Sequence, residues 1–340
     1  MKDRVRQSGV PWLSPTSAAR LLACPASVTG LAIGPPPRSP APSTGTSAGA
    51  LAHAALQRWV MADDWRYGDR DGALVDHFHA AAKARKIAVA AVMDGRATEA
   101  RLGQRASSLG KLMRQAGDDA TAEAEVTLHD SQRRVWGTLD LLVTSNRGVW
   151  LIDLKSGMDA AQSSLPAFIR SQLLIYRHLV AAVRGRAPTW IGVFSLRQGA
   201  TQVPLSESDG SSLFGLLDEA RSAWMAHERP AWPSPEVCKY CTRRPECDPH
   251  WIALEAWGDA DGLEGQLVRA QTAANGRTAL LVRNATGSAW VSDMRGEELQ
   301  RLVGHRVRII RIRQRPAASH PGDPTLWQAT DSSVIAPLKD

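Results

Sequence analysis

GTLDLLVTSNRGVWLIDLKSG, residues 137–157, sets two apolar runs either side of a polar turn, SNRG. Runs rich in Leu, Val and Ile around so short a loop read as a β-hairpin. Each run carries a carboxylate, Asp140 in the first and Asp153 in the second, and Lys155 follows Asp153 by two. Side chains alternate along a strand, so Asp153 and Lys155 share one face while Ile152 and Leu154 share the other. An edge ion pair, worth little, is the plain explanation for two such residues. The rest of the chain supplies a sharper one.

Working outward, EAEVTL (123–128) reads as a strand before the hairpin and TWIGVFSLRQ (189–198) as one after it. Residues 161–184 form an amphipathic helix between them. Helices are also expected over residues 14–24, where Ser14 is the N-cap and Pro15 the first helical residue, over the Ala/Leu-rich stretch 48–62, across most of 74–117, and over 209–228. GPPPRSPAPSTGTS (34–47) is a Pro/Ser/Gly linker. Beyond about residue 275 come short strand candidates, TALLVRN, SAWVSDM, HRVRIIRIRQR and TLWQATDSSVI. These suggest a small β-rich module, an OB-like barrel being one form it can take. The expected division is therefore a domain over residues 1–255 and a module over 270–340.

The 340 residues are 44% hydrophobic, enough for a real core, and carry a net charge of +7, which leans toward a polyanionic partner. Residues 1–12 lack the apolar stretch of a signal peptide, and no run approaches the roughly 20 apolar residues of a membrane span. A cytoplasmic place without membrane attachment is expected. Clustered cysteines there suggest metal rather than disulfides. Three of the four, Cys238, Cys241 and Cys247, stand as C-x2-C-x5-C, and Cys24 lies far upstream. Four thiolates suit zinc or an iron–sulfur cluster equally well by count.

Hydrolysing a phosphodiester near neutral pH needs an activated water and a counter-charge for the phosphorus oxygens. Mg²⁺ or Mn²⁺ does both and prefers oxygen ligands. Asp140 and Asp153 on neighbouring strands can share such an ion, with Lys155 in reach of the water or the phosphate. Gln172 and Tyr176, in QLLIY, lie at i and i+4 on one helix face, and His53 sits upstream in GALAHAAL.

The ordered set of His53, Gly137 to Asp140, Asp153 to Lys155 and Gln172 to Tyr176 resembles the RecB-like branch of the PD-(D/E)XK nuclease superfamily, including the CRISPR-adaptation exonucleases. The resemblance covers roughly residues 12–250. It implies an α/β restriction-endonuclease-like core, a mixed central sheet flanked by helices. It further implies divalent metal held by His53, Asp140, Asp153 and the Leu154 carbonyl, a water-assisting Lys155, and a Gln172/Tyr176 pair that supports the site and contacts DNA. The third motif has Asp where many relatives have Glu. Glu125 lies where some relatives carry another acid, though a solvated strand-end Glu is the simpler reading of it. The iron–sulfur members hold a 4Fe–4S cluster on one early and three late cysteines, which implies Cys24, Cys238, Cys241 and Cys247 here, with zinc the alternative.

The expected activity is that of a metal-dependent DNA exonuclease acting on ends or single strands. Repair, recombination, CRISPR adaptation and phage or mobile-element processing, with helicase- or CRISPR-type protein partners, are compatible settings. The rivals are an inactive DNA-binding scaffold, a structure-specific endonuclease, or a zinc-stapled protein. In HRVRIIRIRQR the alternation breaks at Ile309–Ile310, and a bulge there would return the arginines to one face. Arg306, Arg308, Arg311 and Arg313 are accordingly candidate nucleic-acid contacts, a solvated strand face being the competing reading.

Overall fold

The computed structural model describes residues 9–34, 47–67, 72–155, 165–239, 241–257, 261–316 and 324–338. Nearly all of the expected linker (35–46) and the first residues of the helix expected from 161 lie outside them. Two compact units emerge: Met1–Leu22 with Val28–Glu228, and Ala23–Ser27 with Arg229–Asp340.

The first unit runs α1 (Pro15–Ala23), α2 (Ala48–Met61), α3 (Ala73–Ala84), α4 (Gly95–Arg114), β1 (Thr121–Asp130), β2 (Val135–Ser145), β3 (Gly148–Lys155), α5 (Ala167–Arg184), β4 (Trp190–Ser195), β5 (Gly199–Gln202) and α6 (Glu207–Met225). Its sheet has the order β1-β2-β3-β4-β5. β1, β2 and β3 form an antiparallel meander. β4 then returns parallel to β3 after α5, so the sheet is mixed.

Both faces of β3 are buried, which explains its nearly unbroken apolar run. Val149 and Leu151 pack toward Leu173, Tyr176 and Leu179 of α5 and Phe214 and Leu217 of α6. Ile152 and Leu154 pack on the opposite face with Leu51, Ala55 and Trp59 of α2 and Leu102 and Met113 of α4. Burial of each such side chain stabilises by about 1.5–3 kcal/mol. Asp153 and Lys155 continue the row of Val149 and Leu151, the α5 side, at the C-terminal end of the strand. Helix starts follow local chemistry: the Ser47 side chain caps α2 by accepting from the Ala50 amide, and Ser206 and Asp209 form a reciprocal capping box on α6.

The second unit contains the short helices α7 (Pro235–Cys238) and α8 (Asp248–Leu254), then β6 (Gly262–Thr272), β7 (Arg277–Asn284), β8 (Gly287–Arg295), β9 (Arg306–Gln314) and β10 (Thr325–Pro337). The five strands close into a barrel, β10-β8-β7-β6-β9. Closure leaves no open sheet edge. Its lining includes Leu267, Leu280, Val291, Val307, Ile309 and Ile312. β6 is a strand that the sequence reading did not single out. Its apolar positions are interrupted by Gly265, Gln266 and Arg269.

β9 departs from strict alternation at Arg311, just after the Ile309–Ile310 step where the sequence pattern breaks. Its ladder with β10 shifts between Ile310 and Ile312, and Arg311 takes φ 60°. The Arg311 carbonyl accepts from the hydroxyls of Thr330 and Ser333. The shift lets Ile309 and Ile312 both enter the barrel, while Ile310 packs with Trp251 and Leu254. No helix among the described residues is long and apolar enough to cross a membrane.

Candidate active site and cysteine cluster

Three elements of the first unit bring ligating atoms together. His53 of α2, Glu125 of β1 and Asp140 of β2 place one ligand atom each within 4.8 Å of one another. His53 Nδ1 lies 3.2 Å from Glu125 Oε1 and 3.3 Å from Asp140 Oδ1. The other oxygen of Asp140 accepts from the Leu154 amide at 2.6 Å, which fixes the carboxylate across the β2–β3 ladder. Leu154 itself is buried.

Glu125 is not the solvated strand-end residue expected. It lies mid-strand in β1 at φ 54°, between the pairs Ala124–Leu141 and Val126–Leu139. This irregularity turns a side chain from the strand into the cluster. A left-handed glutamate inside a strand is uncommon enough to count as a local strain held by its surroundings.

Asp153 stands beside this triad, 1% exposed, and neither carboxylate oxygen accepts a hydrogen bond of good geometry. Its charged neighbour is Lys155, with Nζ 2.8 Å from Oδ2. Burial, followed by repulsion from Asp140, pushes the Asp153 carboxyl up to about 6 against the pull of Lys155. Burial acts to lower the His53 imidazole, but hydrogen bonds to Asp140 and Glu125 outweigh it and hold it up at about 10. Both shifts share one contributor, the Asp140 carboxylate, which raises His53 and Asp153 alike. Burying a carboxylate is costly, and a bound cation offsets that cost. The donor set of one imidazole and several carboxylates suits Mg²⁺ or Mn²⁺, so the residues fit a divalent ion.

A chain of hydrogen bonds orders the remaining motif residues. Lys155 Nζ donates to Gln172 Oε1 at 3.2 Å, Gln172 Nε2 donates to the Tyr176 hydroxyl at 3.1 Å, and that hydroxyl donates to the Thr138 carbonyl at 2.7 Å. Burial raises the Tyr176 phenol, which keeps its proton for this bond. The chain fixes which way the Gln172 amide faces. It also explains Gly137: a Cβ there would sit 2.7 Å from Tyr176 Cε1. Gly137, Asp153, Lys155, Gln172 and Tyr176 thus belong to one assembly.

In the second unit, Cys24, Cys238, Cys241 and Cys247 all line one cavity of about 500 Å³. Cys24 reaches it because the Ala26 amide donates to the Pro230 carbonyl and Arg243 Nη1 donates to the Ala26 carbonyl at 2.7 Å. The Trp232 amide points at Cys24 Sγ, 3.4 Å away. The four are free cysteines. Burial pushes the Cys238 thiol up to about 11 and raises Cys247 as well. Four thiols around a cavity fit a thiolate-ligated group, whose positive charge would reverse those shifts.

The arginines of β9 do not form the single stripe expected. Arg308 is 7% exposed and donates to Glu264 Oε2, the Pro245 carbonyl and Asp248 Oδ1. That side chain is spent on packing its own unit, so a nucleic-acid contact from Arg308 is withdrawn. Arg306 remains exposed although paired with Glu264, Arg311 donates to the Ser332 carbonyl, and Arg313 is exposed.

Comparison with known proteins fits this geometry. The sequence profile of the PD-(D/E)XK nuclease superfamily matches residues 12–248. The fold and site define a nuclease of the divalent-metal-using kind, and the chain belongs to the PD-(D/E)XK nuclease superfamily. No curated protein matches the sequence. Among solved structures, it is similar to that of SSO0001 at 14% identity, over 73% of this chain and 89% of that one, with a TM-score of 0.32. The tetrameric p202 HIN2 shares 18% identity over 26% of this chain and 47% of that one, with a TM-score of 0.19. A murine DNA-binding protein bound with double-stranded DNA shares 8% over 65% and 95%, with a TM-score of 0.22. Likeness at these scores carries no argument.

Proposed function

We propose that the protein is a metal-dependent DNA exonuclease acting on ends or single strands, with a structural 4Fe–4S cluster. One observation carries the catalytic part: the buried Asp153, paired with Lys155, beside the convergent His53, Glu125 and Asp140. His53, Asp140, Asp153 and the Leu154 carbonyl are assigned to the metal, and Glu125 joins them from the geometry. A divalent ion held there supplies Lewis acidity toward the phosphodiester and makes water a stronger acid.

The chain's own groups do the rest. Lys155 has three N–H donors and spends two on Asp153 and Gln172. The third is left for the oxygen of the attacking water or a phosphate oxygen. Gln172 positions Lys155 through its Oε1, and Tyr176 positions Gln172 while anchoring β2 through Thr138. The assignment of Cys24, Cys238, Cys241 and Cys247 to a 4Fe–4S cluster rests on the resemblance, and zinc is the alternative. The cluster's role is to cross-link segments 210 or more residues apart in the chain. Arg306, Arg311 and Arg313 of the barrel are proposed to meet the DNA backbone.

End-labelled linear single- and double-stranded DNA and closed circles, each with Mn²⁺, test the reading. Progressive shortening of linear DNA alone, absent in Asp153→Ala, is expected. Cutting of circles would replace the exonuclease with an endonuclease, and no cutting by protein carrying its cysteine-bound group would leave a binding scaffold. Iron and sulfide at four per chain are expected on elemental analysis; zinc would overturn the cluster.

A further inference from the structure

The outside of the barrel divides into a covered part and an open one. On β9, Arg308 donates to the Pro245 carbonyl and to Asp248 Oδ1, and Ile310 packs with Trp251 and Leu254. On β6, a Cβ at Gly262 would lie 3.0 Å from the Trp251 ring. The segment around α8 thus occupies the outside of these two strands. β7 and β8 differ. Leu280 and Val282 of β7 and Ala289 and Val291 of β8 fill the interior, so alternation turns Leu281, Arg283 and Trp290 outward. All three are exposed or half-buried.

Trp290 stands opposite Leu281 on the β7–β8 ladder and opposite Leu326 on the β8–β10 ladder, and Leu326 is 41% exposed. Its same-face neighbours along β8 are Ser288 and Ser292, too small to shield an indole. A solvent-facing strand of a filled barrel has no packing reason to carry such a patch, and an apolar patch with a polar rim marks a binding surface. The charge around it is one-sided. β7 and β8 carry Arg277, Arg283 and Arg295 against one acid, Asp293, whose Oδ2 already accepts from Gln328 and Ser292. Arg277 and Arg295 are direct cross-strand partners, a like-charge pairing that costs stability and that a polyanion relieves. Arg269 of β6 pairs with Leu281 on its other side. Arg269 and Arg283 are exposed, and neither has an ion-pair partner among the described residues. A protein partner's apolar face would explain the leucines and the indole but not the arginines. An unpaired nucleic-acid strand explains both, since a base stacks on an aromatic ring while its phosphates meet cations.

We propose that the outer surface of β7 and β8 is a binding site for unpaired DNA, with Trp290 stacking on a base and Arg269 and Arg283 meeting the phosphates beside it. Unlike the backbone contacts assigned to β9, this site holds a base face, which a duplex keeps inside its own stack. The site rests on the reading of the protein as a DNA nuclease, and it lies in the unit that does not hold the metal cluster.

The test is fluorescence anisotropy of the full chain without added divalent metal, using a labelled oligothymidine of roughly 15 nucleotides and an abasic strand of the same length and charge. Trp290→Ala should weaken oligothymidine binding by about tenfold and leave abasic binding unchanged, and Trp290→Phe should keep most of the affinity. Arg269→Gln with Arg283→Gln should weaken both strands and shrink the slope of log affinity against log salt by about 1.4. Ile252→Ser, at a 74%-exposed apolar position on α8, should bind as the wild type does. Equal oligothymidine affinity for Trp290→Ala and the wild type would overturn the site and leave the patch to a protein partner. A loss that Trp290→Ala shows equally on the abasic strand, or that Trp290→Phe shares in full, would overturn the stacking. An unchanged salt slope in the double variant would overturn the arginine assignment. Cleavage by the wild type with Mn²⁺ runs alongside. Cleavage with binding indifferent to Trp290 sinks the site alone, Trp290-dependent binding without cleavage sinks the nuclease reading alone, and failure of both results sinks both.

Discussion

Asp153→Asn should inactivate the protein and stabilise its metal-free form. Asp153 is 1% exposed, and neither oxygen accepts a hydrogen bond of good geometry. Its folded pKa is pushed up to about 6, from an ordinary value of 3.8. Between those two values the folded state binds more protons than the unfolded one, so stability falls as pH rises through the window. Above it, a shift of that size corresponds to roughly 3 kcal/mol. Asparagine keeps the shape and removes the charge, and losing the Lys155 pair takes back part of the gain. A net stabilisation of about 1–3 kcal/mol is left at pH 8, and it should vanish below pH 4. For a unit this size, each kcal/mol moves Tm by about 2–4 °C. Thermal melts of both proteins at pH 4 and 8, with and without Mn²⁺, read this directly. The wild type should gain stability from Mn²⁺ at pH 8 and the variant should gain little. A metal-free variant that melts at or below the wild type at pH 8, with an undiminished Mn²⁺ effect, refutes the claim that Asp153 awaits a cation.

Lys155→Met should abolish cleavage and lower the melt of the metal-free chain at pH 8, because it leaves buried Asp153 without its charged neighbour; cleavage at the wild-type rate would remove Lys155 from the mechanism. Gly137→Ala pushes a methyl toward the Tyr176 ring and should cost about 1–3 kcal/mol by denaturant melt along with most activity. Because the His53 imidazole is held up at about 10, metal binding at pH 8 must expel a proton, and affinity should drop as pH falls. Calorimetry in buffers of different ionisation enthalpy counts that proton, and a count of zero would exclude His53 as a ligand. Burial, then the Arg244 charge, hold the His250 imidazole down at about 4, so the barrel unit should lose stability as pH falls from about 6.5 toward 4. His250→Gln should flatten that dependence, and an unaltered acid melt would count against it.

Much of the site is legible in the chain because its spacings translate into faces. Period two puts Asp153 and Lys155 together on β3, and a separation of four puts Gln172 above Tyr176 on α5. The hairpin, the strand before it and the helices around it follow from the same local patterns. So does the presence of a break in β9, which lets Ile309 and Ile312 both face inward.

What the sequence by itself determined is therefore the local grammar: the hairpin and the helices around it, the shared faces of Asp153 with Lys155 and of Gln172 with Tyr176, and that three cysteines stand together. The tertiary structure decided the partnerships across long separations. Glu125 joins His53, 72 residues away, through a backbone kink that no periodicity announces. Cys24 closes a set completed more than 200 residues later, by way of backbone bonds at Ala26. Arg308 looked like its exposed neighbours and is buried, because Glu264 and Asp248 neutralise it. β6 became a strand because β7 and β9 offered it two edges to pair. In each case a charge or a backbone hydrogen bond is settled by whichever group packing brings alongside, and chain order does not name that group.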